Sequence, residues 1–157
     1  MKQQRHTASE IEDAKIKFLA IMRTVPEAIC QWKRDLQWKE LKVEYEILNP
    51  GTGMGKAKTK QVLGSDAPSY VRFMAEKENI SPESVSKGIA RANRSSPKTW
   101  DAYKNGLLKP STVNALILLD VKDQDEILPK ILPLKKFVEQ KAFIEAFSLS
   151  LRARSRD

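Results

Sequence analysis

The chain has almost no cysteine or histidine. Its 157 residues include one Cys, Cys30, and one His, His6. A single cysteine excludes an intramolecular disulfide and every zinc or iron–sulfur site that needs several thiolates. A single histidine in a polar terminal segment also removes most metal and catalytic-triad chemistry. We therefore expect the protein to have no cofactor and no enzymatic activity.

Long apolar runs are absent too. No stretch approaches the roughly 18 residues that a membrane-spanning helix needs, and residues 1–8 are polar where a signal peptide would be apolar. With 41% hydrophobic residues, 6 Gly and 8 Pro, the composition is neither collagen-like nor that of a broadly disordered protein. We expect a folded, cytoplasmic protein with no membrane partner, of a length that suits about one domain.

Positive charge is concentrated in the middle of the chain. Lys and Arg total 28 against 20 Asp and Glu, so the formal net charge is +8. Residues 1–50, 51–113 and 114–157 have net charges of +1, +6 and +1. A basic middle segment is expected of a surface that neutralises phosphates, although a merely solvated basic face has the same composition. Nucleic acid is the leading partner.

The hydrophobic spacing predicts an all-α protein of six to eight helices. Thr7 and Glu10 have the capping-box spacing ahead of a helix over 8–23. Pro26 suits the first turn of a second helix that continues to Asn49. Residues 41–47 also alternate between apolar and charged, as a strand does. We prefer the helix because no second strand is evident to pair with this one.

Composition divides the chain into four segments. Residues 49–60 contain half of the glycines and three alternating lysines, which predicts a flexible basic linker. We expect an N-terminal helical segment (1–50), the linker (51–63), a helix-turn-helix domain (64–132), and a C-terminal helix with a basic tail (133–157). Helix start and stop signals predict six later helices. The first has Asp66 as its cap and Pro68 in its first turn, the second begins at Pro82, and the third extends from Pro97 to Gly106. The fourth extends from 110 or 111 to Leu119, the fifth begins at Asp123, and the last begins at Leu134.

Residues 74–87 have the pattern of a helix-turn-helix. Two helices that cross steeply through a short turn need a small side chain where they touch, which Ala75 provides. Asn79 tolerates the left-handed conformation of a tight turn. Ser81 is a suitable cap for the second helix, and Pro82 presets its first turn. The segment therefore predicts a multi-helix domain built around this motif.

The side of the second helix that we expect to be exposed is entirely polar. Such a helix enters the major groove of DNA and contacts base edges with its first turns. The residues predicted to lie near base edges are Ser81, Glu83, Ser84, Ser86 and Lys87. Those predicted to hold phosphates are Arg91, Arg94, Lys98 and the linker residues Lys56, Lys58 and Lys60. Two residues depart from the usual motif: Glu78 replaces an apolar residue, and Gly88 lies on the inner side of the second helix.

These residues bear a resemblance to a known family. The run Met74-Ala-Glu-Lys-Glu-Asn-Ile-Ser-Pro-Glu-Ser-Val-Ser-Lys87 and the following Ser95-Ser-Pro97 resemble the helix-turn-helix of ParB-like partition proteins. Downstream, residues 100–116 and 123–127 are similar to the helices that follow it there. The resemblance covers about residues 64–132 and is weaker over 8–48. It extends to the ParB-like proteins of prophages and plasmids.

The resemblance implies a sequence-specific double-stranded DNA-binding protein. Such a protein acts in plasmid or prophage partition or in transcriptional regulation, is associated with the nucleoid or a plasmid, and has a ParA-like ATPase as a possible partner. Complete ParB proteins have an N-terminal nucleotide-binding domain with a Gly-Glu-Arg-Arg type of motif. The present sequence has no such motif, so the resemblance is to the DNA-binding module alone and implies no CTP-dependent clamping.

Other interpretations remain open or are weaker. A helical protein–protein adaptor with only non-specific affinity for nucleic acid is the alternative function. Residues 51–59 resemble a phosphate-binding loop, but the spacing is one residue short and Ala57 follows the lysine. We expect Cys30 to be a small core residue and the tryptophans to pack rather than to stack on bases. A last apolar stripe could close the core or pair with a second copy as a homodimer, and it comprises Leu134, Phe137, Phe147 and Leu151.

Overall fold

A computed structural model of the chain describes residues 6–23, 30–49 and 68–156, with no side-chain detail for 21–23. Within these ranges the chain is all-helical, which confirms the predicted fold class. The predicted linker and Pro26 lie outside them. The eight helices of the described residues are α1 Ala8–Arg23, α2 Gln31–Leu48, α3 Tyr70–Glu78, α4 Pro82–Arg94, α5 Pro97–Lys104, α6 Pro110–Leu116, α7 Val121–Ile131 and α8 Phe137–Arg154.

Two compact units make up the chain. The first comprises residues 1–88 and the second residues 89–157. The division falls within α4 rather than at the glycine-rich segment, so α4 begins in the first unit and ends in the second.

Helix α1 begins as its local signal requires, whereas α2 begins at Gln31. Cys30 is extended, so the helix predicted from Pro26 does not run unbroken to Asn49. The backbone N–H of Glu10 donates to Thr7 Oγ1 at 3.2 Å, and the Thr7 N–H donates to Glu10 Oε2 at 3.0 Å, which confirms the capping box. In α2, Trp38, Leu41 and Tyr45 are buried at helical spacing. The segment with strand-like alternation is therefore helical. Cys30 is an exposed residue at the N-cap of α2, so its predicted place in the core was wrong.

An aromatic cluster joins α1, α2 and α3. The Tyr45 ring lies 4.9 Å from the Phe73 ring, 5.5 Å from the Tyr70 ring and 6.4 Å from the Phe18 ring, measured between centroids. The Tyr45 hydroxyl donates to the backbone carbonyl of Pro68 at 2.6 Å, and burial raises the pKa of Tyr45. Aromatic pairs at these separations add to the free energy of burial. This cluster fixes the start of α3 against the N-terminal helices.

Helix α3 begins later than the sequence predicted. Ser69 is the N-cap, and its Oγ accepts from the backbone N–H of Arg72 at 3.4 Å. Pro68 precedes the helix instead of lying in its first turn, and the predicted cap Asp66 falls outside the described residues. Ser69 serves because its short side chain reaches the orphan N–H groups of the first turn.

Two buried glutamines hold the second unit together. The Gln124 side chain accepts from the Ser96 N–H at 2.8 Å and donates to the carbonyls of Arg94 and Leu119, both at 2.9 Å. The Gln140 side chain accepts from the Thr112 hydroxyl at 2.7 Å and donates to the Leu134 carbonyl at 2.7 Å. Buried amides stabilise a fold only when their donors and acceptors are paired, as these are.

The second unit also has an apolar core. Its apolar residues with no exposed surface are Val113, Leu116, Ile127 and Ile131.

Some helix ends in the second unit differ from prediction, but the start of α5 does not. Ser96 caps α5 as predicted, with its Oγ accepting from the Thr99 N–H at 3.0 Å. Helix α6 ends at Leu116, α7 begins after Asp120 rather than at Asp123, and α8 begins at Phe137 rather than Leu134. At the start of α7 the extended Asp120 is the N-cap, and its carbonyl accepts from the Gln124 N–H at 2.9 Å.

Candidate nucleic-acid interface

The turn between α3 and α4 has the geometry that the sequence predicted. Asn79 is left-handed, with φ 55° and ψ 49°. The Ile80 N–H donates to the Ala75 carbonyl at 3.0 Å, and the Asn79 N–H donates to Glu76 O at 3.4 Å. These two bonds form a Schellman motif, which stops a helix sharply. Ala75 is buried, as expected of the small residue at this position.

Helix α4 begins at a capped and exposed N-terminus. Ser81 Oγ accepts from the Ser84 N–H at 3.2 Å and lies 2.8 Å from the Ser84 hydroxyl. The predicted cap is therefore confirmed. Only three residues, Asn79, Ile80 and Ser81, separate the two helices. So short a connection leaves little freedom in the direction of α4 as it leaves the turn.

Apart from Pro82, the exposed residues at the start of α4 are all polar. Val85 is completely buried and Gly88 is buried beside it on the inner side. Every residue of this part of the helix that the sequence placed near base edges is exposed, namely Ser81, Glu83, Ser84, Ser86 and Lys87. The first two turns of α4 therefore present hydroxyl, carboxylate and ammonium groups to the surroundings.

A single tryptophan explains both departures from the usual motif. Trp38, which is 2% exposed, donates from Nε1 to Glu78 Oε1 at 3.2 Å, so an acceptor is useful where an apolar residue is usual. A Cβ at Gly88 would lie 2.4 Å from Trp38 Cε3 and 2.7 Å from Asp35 Oδ1. Only glycine permits α4 to approach α2 this closely. Through Trp38, helix α2 thus packs against both helices of the motif.

Arg91 does not lie where the sequence predicted. We expected it on the exposed side of the helix, but it is 5% exposed, and its Nη1 donates to Asn114 Oδ1 at 2.9 Å. It follows Gly88 by one turn, where the guanidinium packs within the second unit. The expectation of exposure was wrong because helical spacing alone does not show that α6 offers a partner at this position.

Unlike Arg91, the other residues predicted to contact phosphates are either exposed or outside the described residues. Arg94 and Lys98 are exposed in the second unit. Lys56, Lys58 and Lys60 lie outside the described residues. The structure thus leaves two described cations of this predicted set exposed.

One cation near the turn was missed at the sequence level. Arg72 is exposed in the first turn of α3 and lines a groove of about 370 Å³ together with Asn79, Ile80 and Pro82. In helix-turn-helix proteins the first helix of the pair crosses the nucleic-acid backbone. The sequence shows only that Arg72 stands ten residues before Pro82. This spacing predicts that the two residues lie close together only once the geometry of the turn is known.

Glu83 and Lys87 form an exposed ion pair one turn apart. Lys87 Nζ lies 2.9 Å from Glu83 Oε1, and this hydrogen bond, together with the charge of the ammonium, lowers the pKa of Glu83. Both side chains are more than half exposed, so water screens the pair and it opens easily. Each group is therefore available to a ligand.

Over the ranges 6–23, 30–49 and 68–156, no three His, Cys, Asp or Glu side chains are grouped as metal ligands. None of the described helices has both the length and the apolar character to cross a bilayer.

Comparison with protein-family models, curated proteins and solved structures finds no match to this chain.

Proposed function

We propose that the protein binds double-stranded DNA through the first two turns of α4. The observation that carries this proposal is the exposed start of α4, which is polar apart from Pro82. The direction of this helix is fixed by the Asn79 turn and by its packing against Trp38. The major groove, about 12 Å wide, admits one α-helix with its side chains. A helix whose start is exposed and whose other side is buried has the shape for such a contact.

The exposed side chains match the groups on base edges. Glu83 can accept from the amino group of cytosine, and Lys87 can donate to the acceptors of guanine. The hydroxyls of Ser84 and Ser86 donate or accept as the base requires. Because the Glu83–Lys87 pair is exposed, base contacts can replace it. Sequence preference would come from these four residues.

Phosphate contacts supply affinity rather than preference. In the first unit Arg72 is an exposed cation that lines the groove beside the turn. In the second unit Arg94 and Lys98 are exposed. The net charge of +6 over residues 51–113 supports a polyanionic partner. We give Arg91 a structural role instead, since its guanidinium is buried against Asn114.

The resemblance to ParB-like proteins is consistent with this proposal. It suggests that the biological role is plasmid or prophage partition, or transcriptional regulation at an operator. A reading helix of this kind serves both roles, because the fold alone does not decide what a bound protein recruits. A ParA-like ATPase is the partner that a partition role would require.

The deciding experiment is selection of bound duplexes from a random library with the full chain. We expect a shared sequence motif among the recovered duplexes and an affinity that falls steeply with salt. Recovery of duplexes without a common motif would refute sequence-specific binding. Negligible affinity for any duplex near physiological salt would refute DNA binding altogether and leave the adaptor function.

Point variants separate base contacts from phosphate contacts. Ser86→Ala should change the selected motif at one or two positions. Arg72→Ala should weaken binding to all duplexes and reduce the salt slope by about one. Lys130→Ala is the matched control, since Lys130 is an exposed cation at the end of α7, outside the proposed contact set. An equal loss of affinity in both cation variants would mean that net charge alone attracts DNA.

A further inference from the structure

Positive charge outside the predicted linker belongs mainly to the second unit. Residues 89–157 contain 13 Lys and Arg against 8 Asp and Glu, a net charge of +5. Residues 1–88 contain 15 against 12, and the linker residues 51–63 alone supply this net charge of +3. The other residues of 1–88, which include the start of α4, are therefore neutral overall. A polyanion that binds this chain meets an excess of cations in the linker and in the second unit.

Two helices of the second unit begin side by side. The Thr112 hydroxyl, in the first turn of α6, donates to Gln140 Oε1, in the first turn of α8, at 2.7 Å. The Gln140 amide donates in turn to the Leu134 carbonyl at 2.7 Å, just ahead of α8. Thr112 and Gln140 are both buried, so this junction is well fixed. The residues that precede the two helices are thus held close together.

Three exposed lysines stand at this junction, and we call them the junction lysines. Lys109 is the N-cap of α6, Lys136 is the N-cap of α8, and Lys135 precedes it. The Lys109 carbonyl accepts from the Thr112 N–H at 3.0 Å, and the Lys136 carbonyl accepts from the Gln140 N–H at 3.1 Å. Lys109 and Lys136 are therefore each one helical turn from the buried bond that joins the helices.

Acidic residues do not neutralise the junction lysines. Glu139, in the first turn of α8, is exposed, and it reduces the charge of the cluster from +3 to +2. Glu145, further along α8, lies 3.9 Å from Lys141. Among the side chains of residues 6–20, 30–49 and 68–156, none forms an ion pair with a junction lysine. The cluster therefore keeps a positive charge that is accessible to an anion.

Helix stability does not explain why lysine occupies these positions. Asn, Asp, Ser and Thr are the preferred N-cap residues, because their side chains accept from the N–H groups of the first turn. Neither Lys109 nor Lys136 makes a side-chain cap. A positive charge at the start of a helix also opposes the helix dipole. Residues that break a local preference in this way are expected at functional sites.

We propose that the junction lysines bind phosphates of a DNA backbone, in addition to the contacts of α4. The ammonium groups make the contacts, and the two helix starts only determine where the lysines stand. Lysine is a compact charge on a flexible stem, which suits phosphates whatever the base sequence. The proposal rests on the proposed function for its partner, and it supplies affinity without sequence preference.

The triple variant Lys109→Gln/Lys135→Gln/Lys136→Gln of the full chain tests these contacts. Each lost phosphate contact reduces the number of counterions released, so the salt slope of duplex binding should fall by about two to three. The loss of affinity should be equal for all duplexes, and the selected motif should stay the same. The control variant replaces three exposed lysines of the first unit, Lys15, Lys17 and Lys33, with glutamine, which changes the net charge equally. Its slope should change by less than about one.

The outcomes separate this proposal from that for α4. Equal effects of the two triple variants would overturn the role of the junction lysines and leave sequence reading by α4 standing. Recovery of duplexes without a common motif, with the expected loss of slope, would refute reading by α4 alone. An unaltered chain that binds no duplex would refute both proposals.

Serine substitutions separate binding from folding. Lys109→Ser and Lys136→Ser each introduce a preferred N-cap residue, so each should raise the melting temperature by about 2–4 °C in circular dichroism. Each should also weaken duplex binding and reduce the salt slope by about one. A lower melting temperature would mean that these lysines support the fold, and unchanged affinity would mean that they do not contact DNA. Either result would overturn the proposal.

Discussion

Replacing Gly88 with alanine should destabilise the protein, although alanine is the better helix former. The new Cβ would lie 2.4 and 2.5 Å from two carbons of the Trp38 ring, where carbon atoms prefer about 3.5–4.0 Å. The Trp38 side chain is 2% exposed and its ring donates a hydrogen bond to Glu78, so the ring cannot move aside easily. Over-packing costs about 1–3 kcal/mol, and contacts this short place the substitution in the upper part of that range, at about 2–3 kcal/mol, against a gain of about 1 kcal/mol in helix propensity.

We expect a net loss of about 1–2 kcal/mol in the free energy of unfolding. For a chain of this length that corresponds to a melting temperature lower by about 2–8 °C, measured by circular dichroism. Asn93→Ala is the control, because Asn93 is exposed on the same helix and should show only the gain in propensity. In a Trp38→Leu background, Gly88→Ala should be less destabilising, because the clash with the ring is gone and only the approach to Asp35 Oδ1 remains. If Gly88→Ala stabilised the protein as much as the control does, the close approach of α4 to α2 would be refuted.

Three other substitutions test the local chemistry. Ser81→Ala removes the cap of α4 and should cost about 1 kcal/mol in chemical denaturation, and no loss would mean that the bond to Ser84 N is not formed in solution. Arg91→Met removes the hydrogen bond to Asn114 and should lower the free energy of unfolding by about 1.5–3 kcal/mol. Arg94→Met, on the exposed side of the same helix, should lower it little. Equal losses would contradict the burial of Arg91. Within the described residues the buried Tyr70 hydroxyl has no hydrogen-bond partner, and burial, with the nearby charge of Glu78 as a lesser cause, raises its pKa above the usual value of 10.0. The stability that this group contributes is present below pH 10 and is lost above it, because the unfolded chain then ionises. Tyr70→Phe should therefore leave the free energy of unfolding at neutral pH unchanged and reduce its decline at alkaline pH. An unaltered decline would argue against a raised pKa of Tyr70.

Signals between neighbouring residues could be predicted from the sequence, and contacts between distant residues could not. The Thr7 capping box, the left-handed Asn79 and the Ser81 cap each depend on residues within a few positions, and all three are present. The burial of Arg91 depends on Asn114, and the place of Gly88 depends on Trp38. Such pairings are decided by tertiary packing, which no local pattern encodes.

The same distinction applies to the candidate interface. The exposed polar residues at the start of α4 follow from the periodicity of the helix, so they were predicted as a group. Arg72 was missed because its place beside the turn depends on how α3 folds back on α4. The covered side of α8 could not be chosen from the sequence for a related reason. Both sides of that helix are apolar, and only the packing of the second unit shows which of them is covered.

The Gln124 side chain limits where the second unit can be altered by protein engineering. One amide joins the segment at Arg94 and Ser96 to the segment at Leu119, and it uses its acceptor and both donors to do so. Lengthening either joint by one residue would displace a carbonyl or an N–H from that amide. The bend at Gly106, which is exposed and has open space around its Cα, is the better place to insert a tag or a fluorophore.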